Sequence, residues 1–264
     1  MPYEEDPIFS RELDNEAKIW RYVDFAKFVD LLERSEQYFV RANKLVEIDP
    51  YEGYFNELML PCEKKDESYY QVYKKLKEHS RIEDPKLLCI SCWHVNQFDS
   101  DAMWKLYATR DRGIAIQTTI KNLKMSFRDH PQRIDIAKVK YIDYSKKDIT
   151  YSNLLDRFST KGISFEHEHE LRLFVLDLNP NDFAEIELED YKKTIINLTK
   201  IHGDVKRDDN GIYVKVDLNH YLENVIVSPL SPEWFVFLVK SIVKKYGLRE
   251  NVVTKSKLYE KPKF

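Results

Sequence analysis

IWRYVDFAKFVDLLERSEQYFVRANKL, residues 19–45, lays down a strand, a helix and a second strand in immediate succession. Residues 19–23 are apolar and aromatic around a single charge, Arg21, as a short strand with one outlying side chain would be. Phe25, Phe28, Val29 and Leu32 then recur at helical spacing, which predicts one amphipathic helix. YFVRANKL (38–45) alternates and reads as the second strand, after which the Asp-Pro and Gly of DPYEGYF (49–55) mark a turn.

Outward from this segment the same two periodicities alternate irregularly. LLCISCW (87–93), GIAIQTT (113–119), IAKVKYIDYS (136–145), HELRLFVLDL (169–178), GIYVKVDL (211–218), ENVIVSP (223–229) and the closing VVTKSKLY (252–259) read as strands. A surface helix is expected between about 66 and 84, with Tyr69, Tyr73 and Leu76 as its inward stripe. DSDAMWKLYATRDRG (99–113) predicts a helix capped by Asp99 or Ser100, and another is expected around SNLLDRFSTKG (152–162). SPEWFVFLVKSIVKKYG (231–247) predicts a further helix, with Ser231 as N-cap, Pro232 at the first position and Gly247 at its end. Without a regular βαβ rhythm, this pattern predicts an α+β fold: a mixed, mainly antiparallel sheet core with flanking helices.

Composition narrows the function classes. With 43% hydrophobic residues in 264, the chain can bury a sizeable core. Six glycines and ten prolines, nowhere clustered, leave no flexible linker to divide it. A formal charge of -3 gives no basic field for general nucleic-acid binding, although local patches remain open. Apolar runs stop well short of the roughly 20 residues that span a bilayer, so no membrane partner is expected. The acidic, polar start MPYEEDPIFSRELDNE predicts a cytoplasmic protein, and three cysteines fit a reducing compartment. Cys89 and Cys92 form a C-x-x-C within a β-prone run, where residues three apart diverge, so they read as ordinary buried thiols.

Chemistry concentrates in KGISFEHEHELRLFV (161–175). In a strand beginning near His167, Glu168, Glu170 and Arg172 share one face, while Leu171 and Leu173 take the other. At about 3.3 Å of rise per residue the two carboxylates stand about 7 Å apart, with a guanidinium next in line. Such a pair holds one carboxylate ionised and suits an oxocarbenium-like transition state; equally, it fits a solvated face of mutually neutralising charges. His167 and His169, with His94, admit a metal-assisted hydrolase or nuclease reading, but no helix-borne or cysteine-rich ligand set accompanies them and no metal is assigned. In SCWHVNQFDSDAMWKLY (91–107), Trp93, His94, Trp104 and Tyr107 form either the wall of a nucleotide-sized pocket or part of the core. Arg21 suits a phosphate or carboxylate, or a salt bridge to Asp49 or Glu52.

IWRY, YFVRANKL with DPYEG, CISCWHVN, DAMWKLY with RGIAIQTT, KGISFEHEHELR, and ENVIVSP with KSKLYEK together resemble the bacterial and phage family catalogued as domain of unknown function 2971. The resemblance implies a single domain over residues 18–264 behind a tail of 1–17. In block order the chain is also similar to the ADP-ribosyltransferase superfamily, with an Arg in the first strand and a Glu-x-Glu at a later one. That similarity implies an NAD-dependent ADP-ribosyltransferase or NAD glycohydrolase, acting as a toxin or phage-defence effector, with NAD as cofactor and a nucleotide-like small molecule as partner. It makes Glu168, Glu170 and Arg21 the catalytic set. Trp93, His94, Trp104 and Tyr107 would wall the cofactor, with Tyr22, Lys161 and Arg172 beside it. A noncatalytic binding module is the remaining alternative, and would leave the charged strand face without a cleft.

Overall fold

The computed structural model describes residues 13–53, 84–131, 133–146, 151, 154–177 and 206–262. The helix expected over 66–84 falls outside them save for Asp84, as does Cys62. Among the described residues the fold is α+β. One sheet of ten strands contains β1 (Lys18–Asp24), β2 (Glu36–Arg41), β3 (Leu88–Val95), β4 (Gly113–Thr119) and β5 (Asp135–Lys138). A short parallel pair, β6 (Lys140–Ile142) and β7 (Thr160–Gly162), stands apart from it. The large sheet is completed by β8 (Glu170–Leu176), β9 (Lys206–Asp208), β10 (Gly211–Lys215), β11 (Asn224–Val227) and β12 (Val253–Lys255). All its pairings are antiparallel except β11 with β12.

The register of β3 decides where a site can form. One edge pairs with β8 from Leu88 to His94. The other edge is shared: β2 pairs at Cys89 and Ile90, and β1 at His94 and Val95. Between those contacts, along Ser91, Cys92 and Trp93, neither strand is in register, so β1 and β2 splay apart and the sheet splits.

Period-2 alternation sends the two faces of these strands into different cores. Ile19 and Val23 of β1, with Cys89 and Trp93 of β3, join the largest apolar cluster. Over that face lie α1 (Phe25–Arg34) through Phe28, Leu31 and Leu32, and the longest helix among the described residues, Glu233–Lys245, through Phe235, Val236, Val239 and Val243. Burying each such side chain contributes roughly 1.5–3 kcal/mol, so this face carries most of the apolar stabilisation. The opposite face holds two smaller clusters. Trp20 and Tyr22 pack with Met103 and Trp104 of a helix at Asp101–Tyr107. Leu88, Ile90 and Phe174 pack with Ala42 and Phe158. The gap between these two clusters lies over the split.

Four expectations need correction. The strand expected through residue 45 ends at Arg41, and Ala42–Val46 is helix α2. Ala42 is fully buried and Leu45, three residues on, packs on the same cluster, a helical rather than a strand spacing. The strand over 136–145 is broken at Val139, whose amide donates to Glu170 O at 2.8 Å while Lys140 N donates to Ser159 O, so the chain changes sheets there. The last long helix begins at Glu233, with Pro232 at the cap position; the Ser231 hydroxyl donates to Asp111 O instead of capping. The strand bearing Glu170 starts at that residue, because His169 takes a left-handed conformation (φ 40°) at the end of a 3-10 helix over Ile163–Glu168. Glu168 therefore lies on that helix, outside the strand. Smaller differences lie at element ends: Thr160–Gly162, inside the segment expected as helix, is strand β7, the strand expected over 211–218 stops at Lys215, and the closing strand stops at Lys255. Ser100 caps Asp101–Tyr107, as expected, by accepting from Met103 N.

Candidate functional site

Arg172 is the hub of the site. It projects from β8 with 1% of its surface exposed, and all five of its N–H groups have acceptors. Nε donates to Glu170 Oε1 at 2.9 Å and Nη2 to Glu170 Oε2 at 3.1 Å. Glu52 takes the other side of the fork, Oε1 from Nη1 at 2.5 Å and Oε2 from Nη2 at 2.9 Å, and Phe158 O accepts the remaining Nη1 hydrogen at 2.5 Å. No donor is left for a ligand, so Arg172, although it lines the cavity, acts by orienting carboxylates.

Glu52 reaches Arg172 because the Asp49–Gly53 turn is pinned from below. Gly53 adopts φ 63° and sits against the Phe158 ring, where an added Cβ would lie 2.4 Å from a ring carbon. Arg157, from the short helix Leu154–Phe158, donates through Nε and Nη2 to Gly53 O at 3.2 and 2.9 Å. Only glycine meets both demands. Sequence reading offered Glu52 as a partner for Arg21; the structure gives it to Arg172.

Lys161 joins the two glutamates of the Glu-x-Glu. Its Nζ is 2.5 Å from Glu168 Oε2 and 3.6 Å from Glu170 Oε2. Glu168 Oε1 accepts from the Tyr107 hydroxyl at 2.5 Å. The Glu170 amide donates to the Tyr141 hydroxyl at 2.7 Å, which fixes the start of β8. Both carboxylates are only 7% exposed, so the expectation of a solvated face fails. Burial opposes ionisation of Glu170, but Arg172 and Lys161 override it and hold the carboxyl below the usual range. Burial dominates at Glu52 and pushes it upward despite Arg172. Burial also raises the Cys92 thiol well above the ordinary value, and the negative charge of Glu170 adds to the rise, so the thiol stays protonated. Cys92 thus belongs to the site, while Cys89 lies in the core.

A cavity of about 330 Å³ opens over the sheet split, at the lower end of small-molecule sites. Arg21, Glu168, Glu170 and Lys161 line it, with Tyr107 and Met103 from the Asp101–Tyr107 helix (α3) at one side and Asp49 with Glu52 at the other. Trp20, Tyr22 and Phe165 supply aromatic wall. His94 also lines it; its Nδ1 lies 2.5 Å from Glu168 O. Trp104 does not line it: its ring packs edge-on against Tyr22 at 5.0 Å, and its N–H goes to Asp99. Trp93 reaches the cavity but is 1% exposed and packs edge-on against Tyr221, a core role in the main.

Arg21 has a second task. Nη1 donates to Ser91 Oγ at 2.8 Å and to Cys92 O at 3.1 Å, and Nη2 to Tyr38 O at 3.5 Å. The guanidinium bridges the splayed strands and takes up the Cys92 carbonyl on the edge that both neighbours abandon. Neither Asp49 nor Glu52 pairs with it. A second cavity, of about 430 Å³ and lined by Lys27, Glu36 and Tyr213, also reaches Arg21, so this one side chain stands between the two.

His167 and His169 are exposed, and among the described residues no three of His, Cys, Asp and Glu are disposed to hold a metal ion. No described helix is long and apolar enough to cross a membrane. Comparison with protein-family models, with curated proteins and with solved structures finds no match to this chain.

Proposed function

We propose that the protein is an NAD-dependent ADP-ribosyltransferase or NAD glycohydrolase, of the toxin or phage-defence kind, working in the cavity over the sheet split. The observation that carries this reading is Glu170: a buried carboxylate beside a cavity, kept negative by Arg172 and Lys161. Cleavage of the bond between ribose and nicotinamide sends the bonding electron pair out with the neutral base and leaves positive charge on the ribosyl carbon and ring oxygen. A fixed negative charge in a site shielded from water stabilises that state more than the ground state, which is what lowers the barrier.

The neighbours divide the remaining work. Glu168, oriented by Tyr107 and Lys161, is placed to receive a ribose hydroxyl. Trp20, Tyr22 and Phe165 offer faces for a planar ring. Arg21, with no carboxylate partner among the described residues, leaves a net positive field for a phosphate. The order of blocks along the chain, with Arg21 on the first strand and Glu168 and Glu170 near the start of a later one, supports the same reading.

Purified protein incubated with NAD and host extract should release nicotinamide. Glu170→Gln should lower the rate by about 10²–10³, the usual consequence of removing one preorganised electrostatic group. Glu168→Gln should raise KM more than it lowers kcat. Circular dichroism at the assay temperature controls for folding. Absence of nicotinamide release by the wild type removes the proposal.

A further inference from the structure

Two buried polar atoms beside the cavity have no partner among the described residues: Asp49 Oδ2 and His94 Nε2. Asp49 is 7% exposed and His94 5% exposed, and both side chains line the cavity. Leaving such atoms unpaired away from water destabilises the folded chain, and native structures rarely do so without a reason.

Their chemistry can be read from the partners they do have. Asp49 Oδ1 accepts from Tyr51 N at 3.0 Å, which fixes the carboxylate plane and leaves Oδ2 as a second acceptor. His94 Nδ1 faces the Glu168 carbonyl oxygen at 2.5 Å. A carbonyl oxygen can only accept, so Nδ1 carries the hydrogen. Burial lowers the affinity of this imidazole for a second proton, so Nε2 presents a bare lone pair. Both orphans are therefore acceptors, and the described residues supply a donor to neither.

We propose that Asp49 and His94 are the specificity-determining acceptors of the cavity, each taking a hydrogen bond from a sugar hydroxyl of the bound nucleotide. This rests on the proposed NAD-directed reading and deepens it. A polyhydroxylated ligand brings donors where the described residues have none, and a ligand lacking one hydroxyl leaves a buried acceptor unpaired. Sites built in this way reject the deoxy analogue far more strongly than a missing methylene is rejected.

The test is calorimetric titration of ADP-ribose, and of analogues each lacking one ribose hydroxyl, into full-length wild type, Asp49→Asn and His94→Asn. Asn at 49 keeps its oxygen toward Tyr51 N and turns an NH2 toward the orphan position. Asn at 94 keeps a donor for Glu168 O and removes the lone pair. Each substitution should weaken ADP-ribose about tenfold or more, as one unpaired buried group does. For each variant, one deoxy analogue already weak on the wild type should lose no further affinity. Unchanged affinity in both variants, or no binding of ADP-ribose by the wild type, overturns the proposal. Nicotinamide release from the same preparations separates the two ideas. Turnover with hydroxyl-insensitive binding sinks the acceptor pair and spares the activity, while hydroxyl-sensitive binding without turnover does the reverse.

Discussion

Arg172 shows how much a single residue settles here. It compensates two buried carboxylates at once, so removing it strands both Glu52 and Glu170. Arg172→Met should destabilise the protein by about 3–5 kcal/mol in urea denaturation, the usual cost of leaving a buried charge uncompensated. Arg172→Lys should recover only part, since an ammonium cannot serve two carboxylates with a planar fork; full recovery would show that charge alone matters. The same cluster sets an acid response. Glu170 is depressed by Arg172 and Lys161 against its burial, so its ionised form contributes stability above the unfolded value of about 4.3, and this is lost as pH falls through the lower folded value. Glu52 is raised by burial and has the opposite slope, losing stability as pH rises above the ordinary range. The stability gap between wild type and Glu170→Gln should therefore narrow from about pH 6 to about pH 3; a constant gap would mean Glu170 does not carry the acid limb. Arg172, Glu170 and Lys161 were legible as a charged cluster because they crowd one short run. Glu52 was legible as an acid of the turn but assigned to the wrong arginine, since its partner is set by a long-range packing of that turn on Phe158 that no local pattern encodes.

At the scale of elements, the junction between the 3-10 helix and β8 determines whether the two glutamates share Lys161. Alternation along an assumed strand predicts a common face for Glu168 and Glu170, and the structure brings them to a common ammonium by a different route. His169 turns the chain in a left-handed step, and hydrophobic periodicity contains no sign of a single positive φ. The step has a testable cost. His169 is exposed, so substitution there loses little packing. His169→Val should destabilise by about 1–2 kcal/mol, because a β-branched residue resists the left-handed region. His169→Gly should be neutral or mildly stabilising in thermal denaturation. If Val is as stable as the wild type, the junction can extend into the strand and the geometry of Glu168 is not fixed by it. The same lesson applies to residues 42–46, which read as a continuation of the preceding strand until burial reveals a three-residue spacing between Ala42 and Leu45.

Across the whole molecule, the α+β class and the main strands followed from two periodicities, because strands such as β1 and β3 alternate between one large cluster and a smaller one. What alternation cannot convey is that β3 divides one edge between β1 and β2. That depends on pairing between residues 48 to 76 positions apart in the chain, and on a side chain able to fill the resulting gap. Arg21 is that side chain: a charge in an apolar strand that reads as a ligand-gripping group and also bridges backbone and hydroxyl acceptors across the split. If the bridge matters, Arg21→Met should destabilise by about 1–3 kcal/mol, since the Cys92 carbonyl loses its side-chain donor and the Ser91 hydroxyl keeps only the Trp93 N–H. Hydrogen exchange should then speed up along residues 18–24 and 36–41 while the β3–β8 ladder stays protected. Arg21→Lys should restore part of the stability but not the double bridge. An Arg21→Met protein with wild-type stability and exchange would make Arg21 a ligand residue alone. The cavity over the split would then owe its shape to the two flanking clusters, and the guanidinium would be free to move onto a phosphate without loosening the sheet beneath it.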